Sequence, residues 1–98
     1  MKIKKIPAKL QPFLWSKSVE KLDRDKDNVY IIHQILSYGD FKEIRQLFRI
    51  YNRREITEIF IRSPKKIYQP SVFYFIKNHM LGLKNRKLRE AQYVKTLF

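Results

Sequence analysis

Hydrophobic residues recur along most of this chain at the spacing of α-helices. Five of them share one side of a helix predicted over residues 41–51: Phe41, Ile44, Leu47, Phe48 and Tyr51. Large apolar residues cover about half the circumference of residues 28–38, so this segment should be the most buried helix. Apolar stripes return over residues 53–62 and again after Pro70. The pattern predicts an all-α fold, a small bundle of four to five short helices.

Short polar signals between the stripes predict where the helices begin and end. Gly39 can adopt a left-handed conformation that ends a helix. Asp40, followed three residues later by Glu43, has the spacing of a capping box that starts the next one. Asn52 is predicted to be the left-handed residue that ends that second helix. The short break makes a helix–turn–helix-like pair, which is also common in all-α proteins that do not bind DNA.

Two residue types invite a functional interpretation that their surroundings argue against. Trp15, the single tryptophan, follows other large apolar residues, so we expect it to lie in the core. His33 lies beside the apolar side of its helix, and we expect a hydrogen-bonded boundary residue. His79 is far from it in sequence, and two separated histidines are no evidence for a metal site.

Charge is the strongest compositional signal. The 98 residues carry 22 Lys and Arg against nine Asp and Glu, a formal net charge of +13. Such a chain favours an anionic partner: nucleic acid first, then a membrane surface or an acidic protein. A basic surface that is merely solvated is the alternative.

Ten cations are candidates for binding nucleic acid or a partner protein. Lys42, Arg45, Arg49 and Arg53 are spaced by three, four and four residues, opposite the apolar side of residues 41–51. The other six follow later in the chain: Lys65, Lys66, Lys84, Arg86, Lys87 and Arg89.

The end of the chain is predicted to be a separate element. We divide the chain into a helical domain, residues 1–83, and a basic C-terminal extension, residues 84–98, which is ordered only when docked. Tyr93, Leu97 and Phe98 are the expected anchors for a partner. A packed terminal helix is the alternative.

The sequence lacks the residue sets that form known catalytic, metal and cofactor sites. The chain has no cysteine, which excludes disulfides, thiolate nucleophiles and Cys-based metal sites. No phosphate-binding loop and no nucleophile paired with a base is present. We therefore expect no catalytic residue, metal or cofactor. No apolar stretch has the length of a signal core or a membrane span, so we expect a cytoplasmic protein.

Several stretches resemble a family of small, uncharacterised bacterial and archaeal proteins. They are LQPFLW (residues 10–15), KLD (21–23) and ILSYGDFKEIRQLFRIYNRREI (35–56), followed by a Ser-Pro loop and an aromatic helix. Such proteins are often encoded next to nucleotidyltransferase-type toxins of abortive-infection systems. The resemblance therefore implies an antitoxin or accessory role. The family often has glycine where this chain has Asn52, and the resemblance brings no established catalytic residue.

Two hypotheses of function follow. In the first, the protein is a non-catalytic antitoxin-like protein that binds and neutralises a nucleotidyltransferase-type toxin, whose acidic site suits a basic partner. In the second, it binds DNA or RNA through the basic helix face without a toxin partner. Both can hold together if the protein also binds operator DNA.

Overall fold

The computed structural model describes residues 5–95 of the chain. Its α-helices are α1 (Asn28–Tyr38), α2 (Phe41–Ile50), α3 (Arg53–Arg62) and α4 (Pro70–Phe75). α4 continues directly as a π-helical segment, Ile76–Met80, and 3₁₀ helices form at Ala8–Phe13, Val19–Lys21 and Glu90–Gln92. In the described residues the only β pairing is an isolated parallel bridge between Tyr68 and Val94. The prediction of a small all-α bundle with a helix–turn–helix-like pair is confirmed.

α1 is the most buried of the four α-helices, as predicted. Ile31, Ile32, Ile35 and Leu36 are fully or almost fully buried. Its neighbours are α2, α3 and the 3₁₀ helix Ala8–Phe13, which pack around it. Several of these residues are β-branched and have a low intrinsic helix propensity, so tertiary packing is what holds α1 in helical form.

The corner between α1 and α2 is built by the predicted capping box. The Asp40 carboxylate accepts from the Phe41 N–H at 2.9 Å, and the Glu43 carboxylate accepts from the Asp40 N–H at 2.7 Å. The left-handed conformation predicted for Gly39 is wrong, because its φ is −76° and its ψ is 157°. Glycine is required here by space: a Cβ would lie 2.6 Å from the carbonyl oxygen of Ile35.

The turn between α2 and α3 also differs from the prediction. Asn52 begins α3 instead of ending α2: its side chain accepts from the Glu55 N–H at 2.8 Å, and the Glu55 carboxylate accepts from the Asn52 N–H at 3.1 Å. Its φ of −76° and ψ of 165° are extended. Arg53 is therefore the first residue of α3, and it does not continue the line of cations on α2.

Arg24 stabilises the turn between α2 and α3 by hydrogen bonds to residues on both sides of it. Its buried guanidinium donates to the Ile50 carbonyl at 3.0 Å and to both Glu55 oxygens at 3.0 and 3.1 Å. It also lies 4.6 Å from the centre of the Tyr51 ring. Burial alone would lower the pKa of Arg24, but hydrogen bonds to Glu55 and Asp25 raise it overall. The α2–α3 pair is thus held by a buried, fully hydrogen-bonded cation.

The C-terminal segment packs on the core. Tyr93 is 1% exposed and Val94 is buried. The Tyr68 N–H donates to the Tyr93 carbonyl at 2.8 Å, and the Lys95 N–H donates to the Tyr68 carbonyl at 2.9 Å. The prediction of Tyr93 as a free anchor for a partner is therefore corrected, because its side chain is part of the core. The predicted anchors Leu97 and Phe98 lie outside the described residues.

The prediction that Trp15 lies in the core is also wrong, because its side chain is 62% exposed. The 3₁₀ helix Ala8–Phe13 turns Leu10 and Leu14 inward, and both are fully buried. Trp15 comes after the end of that helix, where the chain turns at the surface, and within residues 5–95 its ring pairs with that of Tyr38.

Candidate binding surface

α2 presents a basic side to solvent. Lys42, Arg45 and Arg49 are exposed, while Ile44 and Leu47 on the other side of the helix are buried. This arrangement follows from the helical period, which puts residues three and four apart on one face. The capping box fixes the residue at which α2 begins, just before Lys42.

The three cations of this side have no carboxylate partner among residues 5–95. None of Lys42, Arg45 and Arg49 takes part in an ion pair or side-chain hydrogen bond in that part of the chain. The nearest acidic residues in sequence, Asp40 and Glu43, already accept backbone N–H groups of the cap. Solvated, unpaired cations retain their capacity to meet an external anion.

A cleft of about 180 Å³ lies between this helix and the 3₁₀ helix Ala8–Phe13. Three cations from the two elements line it, Lys9, Lys42 and Arg45. Its other lining residues are Leu10, Glu43 and Gln46. We call this site the basic cleft. Lys9 was not a predicted site residue, since its place opposite α2 depends on how the N-terminal segment folds back.

The other predicted cations lie on different segments. Arg53 stands at the start of α3, where its Nη2 would be 3.5 Å from a Cβ added to Gly82. Lys65 and Lys66 lie exposed on the loop between α3 and α4. Four exposed cations occupy the segment between the π-helical turn and the last 3₁₀ helix: Lys84, Arg86, Lys87 and Arg89. The structure brings Lys42 and Arg45 together in one cleft and spreads the rest over at least three elements.

Exposed aromatic rings border the α1–α2 corner. Trp15 lies 5.2 Å from Tyr38 between ring centres, and Phe41 lies 5.9 Å from Phe75. Trp15 and Phe41 are each 62% exposed. We call these four residues the aromatic row. Sequence reasoning missed it, because helical spacing assigned Phe41 to the buried side although the first residue of a helix has few neighbours.

A shallow apolar groove of about 220 Å³ opens beside this row, between α2 and α4. Phe41 and Phe75 stand on it, and Ile44 and Ile76 are among the residues that line it. Lys95 contacts Tyr38 of the row: its Nζ lies 5.3 Å from the centre of the Tyr38 ring and donates to the Tyr38 hydroxyl at 3.0 Å.

His33 is satisfied, as predicted, but it is buried rather than at the boundary. One ring nitrogen is 2.8 Å from the Tyr68 hydroxyl, and the other donates to the Ser63 carbonyl at 2.7 Å. Burial lowers its pKa from the ordinary 6.5 to about 4. The neutral ring is therefore a structural member of the core.

Within residues 5–95, no group of three or more His, Asp or Glu side chains is arranged to hold a metal ion. In the same part of the chain, no helix has the length and apolar character needed to cross a bilayer.

Comparison with known proteins gave one match. Residues 10–60, just over half of the chain, match the model of a family of unknown function. No curated protein and no solved structure matches the chain. The matched region spans α1 to most of α3, and it contains the cations of α2 and three members of the aromatic row.

Proposed function

We propose that this chain, which belongs to that family of unknown function (DUF6922), is a non-catalytic, antitoxin-like protein that binds and neutralises a nucleotidyltransferase-type toxin. The toxin class comes from the sequence resemblance. Nucleotidyltransferases hold magnesium and nucleotide with acidic residues, and such a site attracts a basic protein. We place this activity in the cytoplasm, where the toxin would find its nucleotide.

The observation that carries the proposal is the unpaired basic side of α2. An exposed cation that has an intramolecular carboxylate partner would have to give it up on binding. Lys42, Arg45 and Arg49 have no such partner in residues 5–95, so their charge is available without that cost. Electrostatic attraction of this kind speeds association, whereas apolar rings near the centre of an interface supply most of the affinity. The aromatic row and its groove lie at the N-terminal end of the same helix.

The test uses a toxin of the nucleotidyltransferase class that the proposal names as the partner. The full chain should bind that protein and restore growth of cells that express it. The double variant R45E/R49E should lose capture and rescue, while its melting temperature stays close to that of the wild type, because exposed charges contribute little to stability. The matched control is K65E/K66E, which changes the net charge equally but on the loop between α3 and α4. Equal loss in both variants, or full rescue by R45E/R49E, would refute the assignment to α2.

Catalysis is tested separately. The purified protein, with nucleoside triphosphates and magnesium, should neither hydrolyse nor transfer nucleotides. Turnover that one point substitution abolishes would contradict the proposal.

Nucleic-acid binding is the second candidate function. The observation that favours it is the basic cleft, where Lys9, Lys42 and Arg45 converge from two elements onto a space of about 180 Å³. Phosphate groups are the ligands that such a set of cations binds in nucleic-acid complexes. Affinity that falls steeply with salt, in the absence of any partner protein, would support this candidate.

A further inference from the structure

We propose that the aromatic row and the basic cleft form one site for single-stranded nucleic acid, in which bases stack on the exposed rings and phosphates meet the cations. This inference rests on the second candidate function and specifies its ligand. It does not depend on the toxin partner.

The row offers rings to more than one base. Within each of its two pairs the rings contact each other at an angle: Trp15 and Tyr38 lie 5.2 Å apart at 59°, and Phe41 and Phe75 lie 5.9 Å apart at 79°. A base would therefore stack on the outside of a pair and not between its two rings. The chain connects the pairs directly, because Tyr38 ends α1 and Phe41 begins α2, and three residues span at most about 11 Å. Trp15 and Phe41 are each 62% exposed, and exposed aromatic rings are stacking platforms for single strands.

Cations flank both pairs. Lys42 follows Phe41 in the chain, and it lines the basic cleft together with Lys9 and Arg45. Lys95 lies at the hydroxyl end of the Tyr38 ring, with its Nζ 3.0 Å from the hydroxyl oxygen and 5.3 Å from the ring centre. A strand that laid its bases on the rings would therefore have cations next to Phe41 and next to Tyr38 for its phosphates.

Two carboxylates lie at the same α1–α2 corner and offset part of the positive charge of the cations. Asp40 and Glu43 reduce the local positive potential, and Glu43 lines the cleft itself. Both, however, are committed to backbone N–H groups at the start of α2, at 2.9 and 2.7 Å. Four cations, Lys9, Lys42, Arg45 and Lys95, outnumber them, so the surface keeps a positive excess.

The exposed rings favour a single strand over a duplex. In a double helix the bases are already stacked on one another, and their faces are hidden. A duplex would use only the cations, and the row would add little to its affinity. A single strand offers free base faces and phosphates together, which is the combination that this corner matches.

Trp15 provides a signal that is specific to this site, because it is the only tryptophan in the chain. The full protein is titrated with oligo(U) RNA and oligo(dT) DNA of about 20 nucleotides, and with a duplex of the same length. Tryptophan fluorescence should be quenched by the single strands but not by the duplex. Single strands should also bind more tightly, by about ten-fold.

Two sets of variants divide the site. Trp15→Ala should weaken single-strand binding by about ten-fold and leave duplex binding unchanged. The control is Tyr74→Ala, which removes an exposed ring outside the row and should change the binding of neither ligand.

The double variant K42Q/R45Q should weaken the binding of both single strands and duplex, and it should flatten the salt slope by about 0.7 per lost contact for single strands. Lys21→Gln, an exposed cation on another segment, is its control.

The outcomes separate this inference from the function on which it rests. Duplex binding equal to single-strand binding, with no effect of Trp15→Ala, would overturn the stacking site and leave general nucleic-acid binding in place. Absence of binding to all three ligands at low salt would overturn both. Loss of toxin capture in Trp15→Ala without nucleic-acid binding would assign the row to a protein partner instead.

Discussion

Two groups of aromatic side chains, similar in type, have opposite positions in this molecule. Phe60, Tyr68, Phe73 and Tyr93 form a buried aromatic cluster, in which the Tyr93 ring lies 4.8 Å from Phe60 and 4.9 Å from Phe73. All four are at most 1% exposed. The aromatic row, made of Trp15, Tyr38, Phe41 and Phe75, lies at the surface.

The two groups differ in how many segments from different parts of the sequence pack against their rings. The four residues of the buried cluster come from α3, the following loop, α4 and the C-terminal segment, and each covers the others. Their polar groups also find partners: the Tyr68 hydroxyl meets His33, and the Tyr93 hydroxyl donates to the Phe60 carbonyl. The rings of the row meet in pairs, Trp15 with Tyr38 and Phe41 with Phe75, and all four side chains remain at least 37% exposed. Burial of a ring is thus decided by distant parts of the chain.

The largest expected effect comes from removing the returning segment. A chain that ends at Leu83 lacks Tyr93 and Val94, which are both core residues, and the bridge to Tyr68. We expect it to lose its cooperative thermal transition, since the deletion removes a large ring and leaves a cavity in a small core. A cooperative transition at the wild-type temperature would show that the segment is a separable extension.

A matched pair of phenylalanines tests the comparison directly. Phe60 is fully buried and contacts the rings of Tyr68, Phe73 and Tyr93, whereas Phe41 is 62% exposed. Phe60→Ala should reduce the unfolding free energy by about 3–5 kcal/mol.

Phe41→Ala should cost less than about 1 kcal/mol, as an exposed substitution that loses one ring contact. Chemical denaturation of both variants measures the difference. Equal losses would mean that the row contributes to the core as much as the buried cluster does.

The helices were predictable because local signals agree with one another. The apolar stripe and the capping box at Asp40 both indicate that α2 starts at Phe41, and Pro70 marks the start of α4. Asn52 was assigned to the wrong helix, because the same residue type serves at either end and only the hydrogen bond to Glu55 decides.

The candidate site was only half predictable. The basic side of α2 follows from the helical period alone, so Lys42, Arg45 and Arg49 were found. Lys9 and Trp15 belong to a segment whose position depends on tertiary packing, and no local pattern places them. The prediction for Tyr93 failed for the same reason. The apolar residues around it are sparse within a basic segment, and no local pattern indicates that the Tyr93 ring packs on Phe60.

His33, which contacts Phe60 and Tyr68 of the buried aromatic cluster, should make stability depend on pH. Its pKa in the folded protein is about 4, below the ordinary 6.5, so the unfolded chain takes up a proton more readily. The stability is fully present above pH 6.5 and is lost as the pH falls from about 6.5 to about 4, by on the order of 3 kcal/mol. Urea denaturation across this range measures the loss. In His33→Gln, this part of the pH dependence should disappear; an unchanged slope would assign it to other groups.

The smallest expected effect concerns a single hydroxyl. The carbonyl of Phe60 lies in the last turn of α3, and the residue four positions later is Pro64, which has no N–H to donate. The Tyr93 hydroxyl supplies the missing hydrogen bond. Tyr93→Phe should therefore cost about 1.5 kcal/mol, because it leaves a buried acceptor without a partner. Tyr38→Phe removes a hydroxyl of the row that meets only the exposed Lys95, so its effect should stay within about 0.5 kcal/mol. Denaturant midpoints of the two variants measure these values, and a loss for Tyr38→Phe as large as that for Tyr93→Phe would remove the distinction between the two groups of rings.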